Sequence, residues 1–355
     1  MIRSSRLAVL LLLALSFSPL AFAETPLYGT QGVSAQAVRQ GSQGSCFFYA
    51  SVAALAASQP DSLRATIRGS QDGGFGVYFA DGKSEQIHDE DVQFARDSGF
   101  DLSDGLWVTV LFRGYAQRTL RASLIHALNA SSLPPQFKAL TAGVLSNSDL
   151  VLLAYDRAIR SQIDQSGNIS REQLKEQLRK QLAPLPMLGV WKDSAIDWMD
   201  ASGFFDSLAE QVKANGELFG AYRAMGAGGL PERVLSAFSG DAHSYQLKQH
   251  EETVAAISRA LQKHQAVVAW TGTTPVDTLK DKVQAAPGDD LASWYTAGHA
   301  YTVLSLDAAT GAITLRNPWG EHPAPTGEFT LPWESFMTAF GGYSVSAPGR
   351  AQPAQ

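Results

Sequence analysis

Gln40-Gly41-Ser42-Gln43-Gly44-Ser45-Cys46-Phe47-Phe48-Tyr49-Ala50 is the stretch that decides the fold. From Cys46 to Ser58 the chain is almost wholly apolar, and the pattern reads as a largely buried helix ended by Gln59-Pro60. Gly44-Ser45 supplies a tight approach and a cap. Cys46 therefore stands in the first turn of a helix, where free backbone N–H groups and the helix dipole favour a thiolate. Cys46 is the single cysteine of the 355-residue chain, so it has no internal disulfide partner. Gln40 lies six residues upstream, across a loop with two glycines. That loop can return its amide beside the thiol, where it and the Cys46 N–H would form an oxyanion hole.

A thiol nucleophile needs a base from another element. His299 opens the apolar strand Ala300–Leu306, Asp307–Gly311 is a turn, and Ala312–Arg316 returns. In a tight hairpin Asn317 falls near Thr302, within a residue or two, close enough to accept from one imidazole nitrogen and aim the other at sulfur. Trp319, packed over that bond, would shield it from water.

These blocks together resemble the calpain branch of the papain-like cysteine peptidases. Gln40-Gly-x-x-Gly-Ser-Cys46 resembles the nucleophile motif. Gly298-His299-Ala300-Tyr301-x-Val303 and Arg316-Asn317-Pro318-Trp319-Gly320 are similar to the His and Asn blocks. Trp107-Val108 with Tyr115-Ala116, and Tyr222-x-x-Met225-x-x-Gly228-Gly229 with Phe238-Ser-Gly240, are similar to intervening segments. The resemblance implies an α+β, two-lobed fold, with Cys46 on a helical lobe, His299 and Asn317 on an antiparallel β lobe, and the cleft between. It also implies catalytic roles for Cys46, His299, Asn317 and Gln40, a supporting role for Trp319, and a protein or peptide substrate. Phe47 replaces the usual Trp, and Ser45 the calpain-type Asp. Ala37 stands where calpains carry an acidic calcium ligand, three residues before the oxyanion Gln, so no cofactor is expected.

Arg3 and Arg6, the apolar run Leu7–Leu15 and Ala21-Phe22-Ala23 read as a cleaved export signal over 1–23, hence a periplasmic or secreted protein. The apolar run is too short for a membrane span. Without Arg3 and Arg6, 26 basic residues face 34 acidic ones, a net −8, and no basic stripe exists; nucleic-acid binding is not expected. The expected organisation is a helical lobe over 24–118, a helical insertion over 119–215, the remaining, mainly β, catalytic part over 216–346, and a disordered tail over 347–355.

Within the insertion, Asp164–Ser170 and Asp200–Asp206 have the shape of EF-hand loop centres. In that register the first ligand positions are Gln162 and Trp198 and the last are Gln173 and Ala209, which are not calcium ligands; Ser170 and Gln173 equally fit a helix capping box. Asp81, Glu85, Asp89, Glu90 and Asp91 read as a solvated acidic surface, and His88, His243, His250, His264 and His322 as surface or core residues. No zinc-type spacing is present. The expected reaction is endopeptidase cleavage through an acyl thioester. The alternatives are transamidation or deamidation by the same residues, or a non-catalytic binding protein on this scaffold. Only 22 residues separate Glu24 from Cys46, too few for a typical inhibitory propeptide, so any inhibition would come from the insertion or a separate partner.

Overall fold

A computed structural model describes residues 25–70, 74–130, 228–283, 291–321 and 326–348, with isolated positions between 132 and 225. The export signal, the tail from 349 onward, the 164–170 loop and part of the 200–206 loop lie outside the described residues.

The N-terminal part carries α1 (Cys46–Ser58), α2 (Pro60–Arg64), β1 (Ile67–Gly69), β2 (Phe75–Tyr78), β3 (Ser84–Ile87), α3 (Asp89–Asp97) and α4 (Trp107–Ala130). The C-terminal part carries α5 (Pro231–Ser239), β4 (Ala242–Gln246), α6 (His250–Gln262), β5 (Val267–Thr271), α7 (Val276–Leu279), α8 (Leu291–Trp294), β6 (Ala300–Asp307), β7 (Ala312–Arg316), β8 (Glu328–Pro332), α9 (Trp333–Ala339) and β9 (Phe340–Ser346). The class is α+β. Among the described residues β1-β2-β3 form one antiparallel sheet, and the other has the order β4-β9-β5-β6-β7-β8 with antiparallel neighbours.

Helix α1 is apolar on every face, and such a helix is stable only where protein surrounds it. Phe47 through Ala56 are all buried. Phe48 and Tyr49 pack on Phe112 of α4, at ring-centroid distances of 5.2 and 5.5 Å. On another side the Thr302 hydroxyl of β6 donates to the Ala50 carbonyl at 2.8 Å. This bond fixes the nucleophile helix against the strand that follows His299.

The central strands are buried on both faces, and period-2 alternation separates two cores. Val268 and Ala300 belong to the core around α1 and α4. Val267, Ala269, Tyr301 and Val303 belong to a second core with α6, Trp294 and Trp333. The sheet is thus the partition between them.

Two expectations change here. The helix that opens at Trp107 runs to Ala130, across the lobe boundary expected at 118. The acidic cluster is a solvated surface at Asp81, Asp89 and Glu90 but not at Glu85 and Asp91. Arg113, Gln117 and Arg121 are spaced by four and share one face of α4. Glu85 is buried, and accepts from Arg121 at 2.8 and 2.5 Å and from Gln117 at 3.0 Å. Asp91, also buried, lies 3.6 Å from Arg113, and Asp81 takes a two-pronged contact from Arg118 at 2.9 and 3.0 Å. A buried carboxylate must be paired, and α4 supplies the cations. Asp89 and Glu90 are exposed. In the second EF-hand-like loop, Asp200 accepts from Lys175 at 2.6 Å.

Candidate active site

Cys46 is the first residue of α1 and is half-buried. Ser45, in front of it, makes no side-chain cap bond, while its carbonyl accepts from Phe48 and Tyr49. The first-turn backbone N–H groups of Cys46 and Phe47, with that of Ala300 from β6, favour the thiolate. Burial is the larger effect and pushes the thiol up. The Ala300 contact is decisive for geometry, because the residue before Ala300 is His299.

His299 is held from several sides. Its backbone N–H donates to the Thr271 hydroxyl at 2.9 Å, and its carbonyl accepts from the Thr271 N–H at 2.9 Å. Gly298 sits at φ +65°, a left-handed conformation suited to glycine, and turns the chain into the strand. Trp319 lies over the imidazole with centroids 4.7 Å apart; Tyr301 meets it edge-on at 4.8 Å. His299 Nε2 and Asn317 Oδ1 are 3.0 Å apart. That bond occupies Nε2 and leaves Nδ1 as the ring nitrogen available to a reactant. Burial drives His299 down to about 4 against the opposing pull of Asn317. Each charge alone is therefore disfavoured. Moving a proton from sulfur to imidazole makes both charges together, and their attraction offsets much of that cost.

Asn317 reaches this position through a β-bulge. The β6–β7 ladder pairs Asp307 with Ala312 and Ser305 with Thr314, then skips Leu304 and pairs Thr302 with Arg316. An unbroken hairpin would place Asn317 opposite Thr302, and its side chain would leave on the face away from His299. The extra residue moves Asn317 one place on, opposite Tyr301, on the face that Tyr301 shares with His299. Asn317 is completely buried, and its Oδ1 also accepts from the Trp319 N–H at 3.2 Å.

Gln40 comes from the far side of the cavity. Its N–H donates to the Pro318 carbonyl at 2.8 Å, so its loop is tied to the segment after Asn317. Gly41 is needed for close approach, since a Cβ there would stand 1.9 Å from the Gly99 carbonyl oxygen. Gln40 is buried, and its Nε2 donates to the Gln43 carbonyl at 2.5 Å, which leaves its second N–H free.

Gln40, Cys46, His299 and Trp319 line one cavity of about 760 Å³, with Asn317 enclosed behind His299. The structure thus brings together all five residues singled out from sequence. Sequence reasoning missed Ala300, Glu232 and Trp270 as cavity or sulfur neighbours. Their signal was weak, because each becomes a neighbour only through strand pairing or packing. Gly229, read as part of a motif, abuts Phe47: a Cβ at Gly229 would be 2.6 Å from the Phe47 ring.

Among the described residues no group of three or more His, Cys, Asp or Glu side chains could hold a metal ion, and no helix is long and apolar enough to cross a membrane.

No curated protein matches this sequence. Among solved structures, PepW from Lactobacillus rhamnosis HN001 (DR20) is similar at 13% identity, covering 94% of this chain and 83% of that one, with a TM-score of 0.31. At that identity and TM-score the likeness bears on neither fold nor function. Residues 197–337, which include His299, Asn317 and Trp319 but not Cys46, match the family model described as calpain family cysteine protease. Over that segment the chain is similar to the calpain-family cysteine proteases.

Proposed function

We propose that this cysteine peptidase is an endopeptidase in which Cys46 is the nucleophile, His299 the proton shuttle, Asn317 the orienter of the imidazole and Gln40 an oxyanion donor. The observation that carries the reading is the junction at Ala300. Its backbone N–H favours the Cys46 anion, while the adjacent His299 is bound through Nε2 to Asn317 at 3.0 Å.

Cys46 Sγ gives its proton to His299 Nδ1 and attacks the scissile carbonyl carbon. The carbonyl electron pair moves to oxygen, and the Cys46 N–H and the free Gln40 N–H receive that oxyanion. Collapse breaks the C–N bond, and His299 returns the proton to the leaving amine. An acyl thioester on Cys46 remains. His299 then takes a proton from water, the hydroxide attacks the thioester, and the thiolate leaves and is reprotonated. The products are a carboxylic acid and a free thiol. Trp319 covers the His299–Asn317 bond and keeps it out of water throughout.

Labelling of native protein with an epoxide-type thiol inhibitor, followed by mass spectrometry, tests the machinery: one adduct at Cys46 is expected, lost in His299→Ala. Incubation with a protein substrate tests the reaction: backbone fragments support it, while a one-unit mass gain without cleavage assigns deamidation instead. Export rests on the charged and apolar pattern of residues 1–23, and a secreted product that begins at Glu24 is its test.

A further inference from the structure

The residues lining the cavity carry a marked asymmetry of charge. Among the described residues that line it, Glu232 is the one carboxylate, and none is Lys or Arg. His299, the one titratable nitrogen among them, is held neutral by burial. Around the same cavity stand the half-buried Trp270 ring and the polar side chains of the exposed β4 residues Ser244 and Gln246. The Trp270 ring packs directly on Gly342, where a Cβ would stand 2.4 Å from it. A carboxylate, an indole face and neutral hydrogen-bonding groups around one hollow are the chemistry that receives a cationic side chain: ion pairing and cation–π attraction act on the head, and the aliphatic stem packs on the ring.

Glu232 also lies in the first turn of α5, where a carboxylate favours the helix dipole. That role accounts for an acidic residue at this helix position. It does not account for the absence of Lys and Arg among the described residues that line the cavity.

We infer that Glu232 is a specificity-determining residue that selects a lysine or arginine side chain of the substrate next to the scissile bond. This inference rests on the peptidase reading above. A peptide lying across Cys46 extends into the part of the cavity bounded by Leu230, Pro231, Glu232, Ser244 and Trp270, so a side chain near the cleaved bond enters it.

The test is a positional-scanning peptide library cleaved by the full chain and read by mass spectrometry. Peptides with Lys or Arg at one position near the cleaved bond should be cut about tenfold faster, as kcat/KM, than those with Leu there, the scale of one charge-assisted contact. Glu232→Gln should remove most of that ratio, and Glu232→Arg should turn it toward Asp or Glu. A ratio within one enzyme is independent of the fraction folded, so loss of the helix-dipole contact, which lowers Tm, cannot imitate the result. Cleavage without a basic preference, or a preference unchanged in Glu232→Gln, overturns this inference and leaves the peptidase reading standing. No cleavage of any peptide overturns both.

Discussion

Replacing Cys46 with Ala isolates the effect of burial on His299. With the sulfur gone, no anion can form beside the imidazole, and its protonation is governed by burial against the Asn317 bond. Burial is the larger of the two and holds His299 at about 4, below the 6.5 of an exposed imidazole. The folded form therefore binds fewer protons than the unfolded chain between pH 6.5 and 4. Stability is fully present above pH 6.5 and is lost as pH falls through 4. At 1.36 kcal/mol for each pKa unit, the interval corresponds to about 3 kcal/mol. Asp101 acts with the opposite sign. Its buried carboxyl is raised, and Ser103 and Thr109 donate to it only in part compensation. Its contribution is fully present below the ordinary carboxylate range and lost as pH rises, which blunts the net curve.

The assay is urea unfolding of Cys46→Ala from pH 7.5 to 4, alongside Cys46→Ala/His299→Gln, with the imidazole titration followed by NMR in the single variant. Subtracting the two unfolding curves removes Asp101 and every other group shared by them. The difference should fall by about 3 kcal/mol across the window, and the imidazole should titrate near 4. An imidazole that titrates at 6.5 or above, or a difference curve flat with pH, refutes the burial argument.

Deletion of Leu304 removes the bulge and should return Asn317 to the register opposite Thr302; activity is expected to fall by at least a hundredfold with far-UV dichroism retained, and retained activity would show that the bulge does not set Asn317's face. Glu85→Ala leaves Arg121 and Gln117 without their buried acceptor and should cost about 3 kcal/mol in chemical denaturation; a loss below 1 kcal/mol would mean that the pair is water-relaxed. Arg316→Met keeps the volume but deletes the 2.6 Å bond to the Val38 carbonyl, so kcat should drop severalfold while stability stays within about 1 kcal/mol; an unchanged kcat would deny this bond any part in placing Gln40.

The helix at Cys46–Ser58 was legible because an uninterrupted apolar run bounded by Ser45 and Gln59-Pro60 leaves a buried helix as the simplest reading. The strands that flank the turn at Asp307–Gly311 were legible for the same reason, and that turn marked the hairpin. Strand β4 was not, because Ala-His-Ser-Tyr-Gln has neither an apolar run nor a buried face; it forms by pairing with β9. Asn317 was placed within one residue of its true register, and the error has a physical source: nothing local in Thr302–Ser305 announces a bulge. Within the acidic cluster Glu85 and Asp91 misled, because carboxylates look solvated until their partners are known. Those partners, Arg113, Gln117 and Arg121, sit on a helix whose extent was underestimated. Long-range pairing of this kind has no signature in composition.

Arg316 joins the two halves of the proposed machinery. It is the last residue of β7, next to Asn317, and is almost wholly buried. Its guanidinium donates to the Val38 carbonyl at 2.6 Å and lies 3.5 Å from that of Gln36, in the loop that ends at Gln40. Burial draws its pKa down to about 10, still far above neutral pH, so the cation persists. Ala37, between those two carbonyls, carries no charge and is buried. A loop whose carbonyls face inward needs a positive partner or other donors. Here the chain supplies a guanidinium, anchored on the strand that also orients the imidazole. Because Arg316 holds Val38 and the Gln40 N–H holds Pro318, the oxyanion loop and the His–Asn hairpin are stitched on both sides of Asn317. A shift of one must move the other, so the spacing between Gln40, Cys46 and His299 is a property of one connected network of packed chain rather than of separate loops.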